Sequence, residues 1–351
     1  MAWAPGAHDK HPACLLIFVS RLGICLPATR VMKQQLSNNG STSTLRAWIE
    51  IQELPKHIAP VFRIILGGVL AWYVTGSFDW AVFALTLLSV FFIADGSFIS
   101  NEYFDYETDS ANATRLGGEN QSVTSTGGTR VLVKGLIKRK HALVASIIFF
   151  LLAMPVGIIL QFVFGTGAWT IPLGAAGILI GWFYTAPPVK AAYRGLGEIF
   201  MALAYFILVF TIYYTQAGLS WFPVAVASTQ LFAVPAIKLL REFPDFEADK
   251  NAGKRTLVVI FGKEKMSKLY VILMAVAIVL FAPAFILSQS LFALLNIIPA
   301  YFILRSAINV ARGNWRNPQG LAFSCRYGFY GLMFSPLTLS LTFLLNGLLD
   351  F

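Results

Sequence analysis

Long apolar segments alternate with short polar connections along most of the chain. A transmembrane helix needs about 20 mostly apolar residues, and segments of this kind are bounded by charged residues, Gly or Pro. The pattern predicts nine such spans, at residues 58–75, 80–100, 142–164, 169–186, 196–217, 221–240, 269–287, 291–308 and 327–348. We therefore expect an all-α, multi-span transmembrane helical bundle of about nine helices.

The composition agrees with this interpretation. Of the 351 residues, 57% are hydrophobic and only 13% are charged, whereas an ordinary soluble domain has about 25% charged residues. The 30 Phe and 16 Pro argue against a disordered chain. Cys14, Cys25 and Cys325 lack the spacing of a metal site or of a disulfide framework. These numbers exclude a soluble or disulfide-stabilised domain and leave a membrane protein.

Basic residues recur at every second connection between the predicted spans. The net charge is +10, and the basic clusters lie at 130–140, 190–194, 241–268 and 305–326. Threading the spans alternately through a bilayer puts all four clusters on one side, which the positive-inside rule makes cytoplasmic. We expect a multi-pass protein of a prokaryotic inner membrane, with an organellar inner membrane as the alternative. Its expected surroundings are membrane lipid, without a nucleic-acid partner.

Residues 1–57 have a different character from the rest of the chain. No acidic residue lies between Asp9 and Glu50, although basic, Ser and Thr residues are frequent there. An organellar transit peptide has this composition. We favour the alternative that the start of translation has been assigned too early in the sequence, because Met32 opens a compact segment bearing Lys and Gln. The sequence predicts a poorly ordered or interfacial leader at 1–57 and a transmembrane domain at 58–348.

Two acidic motifs follow apolar spans on the predicted cytoplasmic side. Asn101, Asp105 and Asp109 are spaced by four, as are Asp245 and Asp249, so each set shares one face of a helix. Such residues usually form a solvated surface, but here they directly continue membrane spans and need water, a cavity or a counter-ion. Mg²⁺ prefers these oxygen ligands and shares its remaining positions with phosphate. The spacing therefore indicates Mg²⁺ at both motifs.

Cations and Gly-containing turns follow each acidic motif. Arg and Lys are the side chains that bind phosphate, and Gly lets the backbone approach an anion closely. We expect four of these cations to bind phosphate: Arg115, Arg130, Lys254 and Arg255. The other cations are explained by the positive-inside rule. Because motif, turn and basic segment recur in the same order, the sequence predicts two four-helix halves around a central cavity.

The two motifs in this order resemble those of the UbiA superfamily of intramembrane prenyltransferases, and the resemblance covers nearly all of residues 58–348. The segments YTAPPVKAAYRGLGE at 184–198 and PDFEADKNAGKRTL at 244–257 resemble its menaquinone-pathway branch, the 1,4-dihydroxy-2-naphthoate prenyltransferases. Arg241 departs from that branch, which often has Asn at this position.

The resemblance implies Mg²⁺-dependent transfer of a polyprenyl group from an allylic isoprenyl diphosphate to an aromatic acceptor, 1,4-dihydroxy-2-naphthoate. It implies that the acidic motifs hold Mg²⁺ and act in catalysis, with these ligands: Asn101, Asp105, Asp109, Asp245 and Asp249. Asn101 and the four phosphate-binding cations would bind the diphosphate. Tyr184, Lys190 and Arg194 are weaker candidates for contact with diphosphate or acceptor. A role as topological anchors explains Lys190 and Arg194 equally well, and an interfacial position is the safer interpretation of Tyr184.

Three other functions remain open at this stage. Another UbiA-type enzyme would use 4-hydroxybenzoate, homogentisate, a chlorophyllide or a glyceryl phosphate as its acceptor. A cation transporter would place carboxylates along a path through the bilayer, but apart from Asp95 they cluster at one face. A non-catalytic lipid-binding or scaffold protein has no need for two matched acidic motifs. We expect Glu102, Glu107 and Glu247 on other helix faces, in contact with solvent.

Overall fold

The computed structural model describes residues 44–111 and 131–350, and everything below refers to these two ranges. They contain α-helices and short 3-10 helices and no β-strand. The helices of the first part of the chain are α1 Thr44–Ile51, α2 Ile58–Thr75, α3 Trp80–Phe104, α4 Tyr106–Ala111, α5 Arg139–Phe162, α6 Thr170–Phe183 and α7 Gly197–Ala217.

The second part continues the same architecture. Its helices are α8 Phe222–Arg241, α9 Phe246–Asn251, α10 Leu257–Phe261, α11 Lys263–Val279, α12 Ala282–Ser288, α13 Ile297–Ala311 and α14 Pro318–Asp350. The 3-10 helices lie at Leu54–His57, Ala191–Tyr193, Leu291–Asn296 and Asn314–Arg316.

Eight helical segments in the described ranges are long and apolar enough to cross a membrane. They are α2, α3, α5, α7, α8, the α11–α12 pair, the 3-10 helix at Leu291–Asn296 continued by α13, and α14. The apolar α6 has only 14 residues, or about 21 Å at 1.5 Å per residue. The all-α, multi-span prediction is confirmed, with α6 shorter than the expected range 169–186.

Proline accounts for one difference from the predicted spans. The apolar range 269–287 is two helices, because α11 ends at Val279 and α12 begins at Ala282. Pro283 lies in the first turn of α12, where its missing N–H needs no helical partner, whereas deeper in a helix it would remove a backbone hydrogen bond. The spacing of apolar residues does not show such a break, since both helices remain apolar.

The spans pack in two groups that share α7. On one side α3, α5 and α6 pack together, and on the other α8, α11, α13 and α14 do so; α7 contacts both groups, and α2 packs against α7 and α14. Gly67 allows the close approach of α2 to α7, because a Cβ there would lie 2.6 Å from the carbonyl oxygen of Val209. Small residues at such contacts strengthen van der Waals packing between membrane helices.

Arg63 is fully buried within α2 and joins four helices through polar contacts. Its Nη1 donates to the carbonyl oxygen of Ala59 at 2.6 Å, and its Nη2 donates to Gln230 Oε1 on α8 at 2.7 Å. The guanidinium lies 4.2 Å from the ring centroid of Tyr205 on α7. Gln230 Nε2 in turn donates to Ser335 Oγ on α14 at 2.7 Å. This network supplies hydrogen-bond and ring partners for much of the Arg63 guanidinium. The hydropathy pattern of the sequence had given no reason to single out this residue.

The described end of the predicted leader packs against the bundle. Ala47 and Ile51 of α1 are buried in a cluster with Ile99 of α3 and Val131. Residues 44–57 therefore form ordered helices, while residues 1–43 of the predicted leader lie outside the described ranges. At the end of this segment His57 Nε2 lies 3.1 Å from Asp95 Oδ1. Asp95 is fully buried in α3, and within the described ranges neither its carboxylate oxygens nor the His57 ring nitrogens make a hydrogen bond.

Candidate active site

The first acidic motif continues α3 into the short helix α4. The N–H of Asp105 donates to the carbonyl oxygen of Asn101 at 2.8 Å, and the N–H of Asp109 donates to that of Asp105 at 2.8 Å. The helical bonding pattern therefore carries across the junction between the two helices and keeps the three side chains on successive turns. Asn101 and Asp105 are half-buried, and Asp109 is 7% exposed.

The second acidic motif follows α8. Asp245 precedes α9, the N–H of Asp249 donates to its carbonyl oxygen at 2.8 Å, and the N–H of Lys254 donates to that of Asp249 at 2.8 Å. Gly253 has φ +70°, which turns the chain back toward the motif at that point. Thr256 then caps α10 by accepting from the N–H of Val259 at 3.3 Å. This turn places Lys254 beside Asp249.

The connection between α6 and α7 holds the side chains of the first motif. Tyr193 OH donates to Asp105 Oδ1 at 2.6 Å and lies 2.6 Å from the hydroxyl of Thr108. Thr185 donates through its hydroxyl to Asn101 Oδ1 at 2.8 Å. Burial and the neighbouring Asp105 carboxylate raise the pKa of Tyr193 well above its ordinary value. The phenol therefore keeps its proton and remains a donor to Asp105.

The same connection contacts the second motif. The N–H of Arg255 donates to the carbonyl oxygen of Tyr193 at 3.0 Å. Lys254 Nζ lies 5.4 Å from the centroid of the Tyr193 ring and 3.8 Å from Asp249 Oδ1. Lys190 Nζ lies 5.6 Å from the same ring centroid. The two acidic motifs are therefore found at the same end of the bundle, joined through one tyrosine.

The structure brings most of the expected site residues into this region. Lys254, Arg255 and Lys190 contact Tyr193, and Tyr184 accepts through its carbonyl oxygen from the N–H of Ala192 at 2.8 Å. The exposed Arg194 donates through its N–H to the carbonyl oxygen of Ala191 at 3.2 Å. Arg115 and Arg130 lie outside the described residues.

The carboxylates fit Mg²⁺ as two pairs. Within 44–111 and 131–350, no three His, Cys, Asp or Glu side chains come close enough together to hold a metal ion by themselves. Mg²⁺ commonly takes only one or two carboxylates from a protein, and water and phosphate oxygens supply the rest. Asp105 with Asp109, and Asp245 with Asp249, each give one such pair, one helical turn apart. The donor set matches Mg²⁺ shared with a phosphate ligand.

The position of Glu102 differs from the prediction made from the pattern of acidic residues. It was expected in contact with solvent but is only 6% exposed, so that expectation was wrong. Glu107 is exposed as expected and forms an ion pair with Arg139 at 2.7 Å, and Glu247 is exposed as well. Position on a helix face did not reveal that α3 is surrounded by protein at Glu102.

A buried ionic cluster near the second motif was not found from the sequence. Lys238 of α8 lies 3.4 Å from Glu198 Oε1 of α7 and forms an ion pair with Glu242, one helical turn along. Burial raises the pKa of Glu242 above its ordinary value, with the nearby Glu198 carboxylate adding to the shift and Lys238 opposing it. The i,i+4 spacing of Lys238 and Glu242 was visible in the sequence, but the third member comes from another helix.

Curated relatives are similar to this chain at modest identity. A 1,4-dihydroxy-2-naphthoate octaprenyltransferase of Bacillus subtilis is 27% identical over 210 residues, which cover 57% of this chain and 60% of that protein. The protein of the same name from Escherichia coli is 26% identical over 290 residues, covering 77% and 86%. A 2-carboxy-1,4-naphthoquinone phytyltransferase of Synechocystis is 28% identical over 232 residues, covering 65% and 70%.

Solved structures share the fold. A UbiA homolog from Archaeoglobus fulgidus bound to GPP and Mg²⁺ superposes with a TM-score of 0.57 at 20% identity, covering 81% of this chain and 98% of that one. A digeranylgeranylglyceryl phosphate synthase gives a TM-score of 0.61 at 17% identity, covering 87% and 98%.

The family model agrees with the structural likeness. The model for the UbiA prenyltransferase family matches residues 61–345, a range that begins within α2, ends within α14 and contains both acidic motifs. The match extends over far more than half of the chain. This chain therefore belongs to the UbiA prenyltransferase family.

Proposed function

We propose that this protein is an intramembrane prenyltransferase that transfers a polyprenyl group from an allylic diphosphate to 1,4-dihydroxy-2-naphthoate with Mg²⁺. The observation that carries the proposal is the joining of both acidic motifs at one end of the bundle through Tyr193, Lys254 and Arg255. The names of the Bacillus and Escherichia relatives support the naphthoate acceptor. The Archaeoglobus structure, bound to GPP and Mg²⁺, supports the donor class and the metal.

The chain's own residues supply the binding of the donor diphosphate. Mg²⁺ held by the carboxylate pairs would neutralise charge on the departing diphosphate. Lys254 lies beside Asp249, so its ammonium can bind a phosphate oxygen near the metal position. Arg255 follows directly and could clamp phosphate with its guanidinium. Positive groups of this kind act most strongly where negative charge develops as the carbon–oxygen bond breaks.

Aromatic side chains extend from the first motif into the bundle. Phe104, directly before Asp105, packs edge-on against Trp182 with ring centroids 5.3 Å apart, and Trp182 packs against Phe150 at 6.2 Å. An apolar aromatic wall excludes water, and aromatic faces attract a cation. These contacts would protect the allylic cation that remains after the diphosphate leaves.

The first test is turnover by the purified chain in detergent. With Mg²⁺, octaprenyl diphosphate and 1,4-dihydroxy-2-naphthoate, we expect a prenylated naphthoquinol by mass spectrometry and release of diphosphate. Asp105→Asn and Asp249→Asn should each lower turnover by about 100-fold or more, because each weakens stabilisation of the leaving group. Glu247→Gln, an exposed acidic residue on α9, is the matched control and should keep wild-type turnover.

The acceptor is tested in the same assay with a panel of alternatives. 4-Hydroxybenzoate, homogentisate, a chlorophyllide and a glyceryl phosphate are added in place of the naphthoate. Faster product formation with one of them would reassign the acceptor while keeping the prenyltransferase chemistry. Wild-type turnover in both Asp variants would contradict the proposed mechanism itself.

A further inference from the structure

We propose that Tyr193 is a positioning residue that fixes the two acidic motifs relative to each other and thereby sets the affinity of the site for Mg²⁺ and diphosphate. The proposal rests on the proposed function, because it concerns how that site is built. Tyr193 lies between the motifs in space although it belongs to neither of them in sequence.

The Tyr193 hydroxyl orients the first motif. A phenol has one proton, and an ionised carboxylate only accepts hydrogen bonds. The proton of Tyr193 therefore points to Asp105 Oδ1, at 2.6 Å, and Thr108 is the donor in its 2.6 Å contact with Tyr193. Thr108 lies between the two acidic residues of the motif. The hydroxyl thus restricts the rotation of the Asp105 carboxylate and holds the start of α4.

The backbone and the ring of Tyr193 contact the second motif. Its carbonyl oxygen accepts from the N–H of Arg255 at 3.0 Å, which anchors the turn after α9. Its ring packs against Lys254 Nζ at 5.4 Å, and the same ammonium lies 3.8 Å from Asp249 Oδ1. One residue therefore makes three kinds of contact, with a carboxylate of one motif and with the cationic turn of the other.

The connection that carries Tyr193 is held firmly. It forms the 3-10 helix Ala191–Tyr193, with Ala191 and Ala192 buried. The N–H of Ala192 donates to the carbonyl oxygen of Tyr184 at 2.8 Å, and the N–H of Leu196 donates to that of Ala191 at 3.0 Å. Because its backbone is fixed from both sides, Tyr193 can transmit the position of one motif to the other.

The experiment compares Tyr193→Phe with wild type in the full chain in detergent. Phe keeps the ring and the backbone contacts but removes the hydroxyl. Calorimetry measures binding of a non-reactive allylic thiolodiphosphate at a series of Mg²⁺ concentrations. We expect the Mg²⁺ concentration for half-maximal binding to rise about tenfold, as for loss of a hydrogen bond to a charged group. The KM for the acceptor should stay at its wild-type value.

Two further variants separate positioning from general stability. Tyr214→Phe removes another tyrosine hydroxyl, which accepts from the N–H of Trp169 at 3.0 Å and lies between other helix ends. This control should keep the wild-type Mg²⁺ dependence even where its melting temperature falls. Thr108→Val should shift the Mg²⁺ dependence in the same direction as Tyr193→Phe, because it removes the second contact of the same hydroxyl.

The outcomes distinguish this role from the proposed function. If the wild-type chain and Tyr193→Phe bind the thiolodiphosphate equally well with Mg²⁺, the role of Tyr193 is overturned and the proposed function still stands. A lower melting temperature with unchanged Mg²⁺ dependence would also overturn it, since the hydroxyl would then serve the fold alone. A wild-type chain that neither binds the analogue nor forms product would overturn the proposed function and this role together.

Discussion

Arg63 is a fully buried cation inside a membrane span, and its contacts explain how α2 tolerates it. The guanidinium donates to a main-chain carbonyl and to Gln230, and packs against Tyr205. Its Nε has no hydrogen-bond partner among the described residues. A buried ionic group is costly to leave partly unpaired, so removing one of its partners should cost more than a surface change.

A double-mutant cycle on Arg63 and Gln230 tests this network. Arg63→Ala and Gln230→Ala should each destabilise the protein, and the two effects should be less than additive by about 1.5–3 kcal/mol, the range for a hydrogen bond to a charged group. Stability is measured by unfolding in mixed detergent micelles. Arg312→Ala, an exposed arginine directly after α13, is the control and should change stability little. Additive effects of the two changes would show that the network contributes no coupling.

Residue spacing predicted part of the site and could not predict the rest. Asn101, Asp105 and Asp109 were found because a spacing of four matches one helical turn. The partner of Asp105, Tyr193, is 88 residues away in the sequence, and no periodic pattern connects the two. The same limit applies to Arg63 and Gln230, which are 167 residues apart.

At the scale of elements, the α6–α7 connection depends on an unusual backbone. Gly195 has φ +72°, in the left-handed region that other residues avoid. A Cβ there would lie 3.0 Å from Ile260 Cδ1 and 3.3 Å from Leu257 Cδ2, both on α10. Gly195 thus lets the connection lie directly against the helix that follows the second motif.

Gly195→Ala should disturb the site, and Gly135→Ala supplies a matched control. Gly135 has nearly the same φ, +71°, but nothing lies within 4 Å of an added Cβ. Both changes should cost about 1–2 kcal/mol of backbone strain, while only Gly195→Ala also pushes against α10. We expect Gly195→Ala to lower turnover several-fold beyond Gly135→Ala at equal folded concentration. Equal turnover of the two variants would mean that the packing against α10 has no part in the site.

Hydropathy located the elements better than it located their ends. The range 58–75 coincides with α2, because a Gly in the left-handed conformation ends the helix at Gly76. The range 80–100 stopped one turn before α3 ends at Phe104, since polar residues of the first motif continue the helix. α6 is shorter than its apolar segment because the chain leaves helical geometry to build the connection that carries Tyr193. The largest departure is at α14, which begins at Pro318, nine residues before the predicted start at 327.

For the whole molecule, the positions of the two acidic motifs predict an orientation in the membrane. Both motifs follow spans that run in the same direction, α3 and α8, so they share the end of the bundle that carries the basic connections. The positive-inside rule predicts that this end is cytoplasmic. The opposite connections, such as 218–220 between α7 and α8, contain no Lys or Arg.

Single-cysteine labelling in cells of a bacterial host tests the orientation. Cys14, Cys25 and Cys325 are first replaced by Ser, and then Leu219→Cys or Lys265→Cys is introduced at positions whose side chains are exposed. A membrane-impermeant maleimide should label Leu219→Cys in intact cells, because the α7–α8 connection is predicted to face outward. It should label Lys265→Cys, at the start of α11 after the second motif, only once the cells are permeabilised. Labelling of Lys265→Cys in intact cells would reverse the orientation and place the acidic motifs, with any diphosphate they bind, outside the cytoplasm.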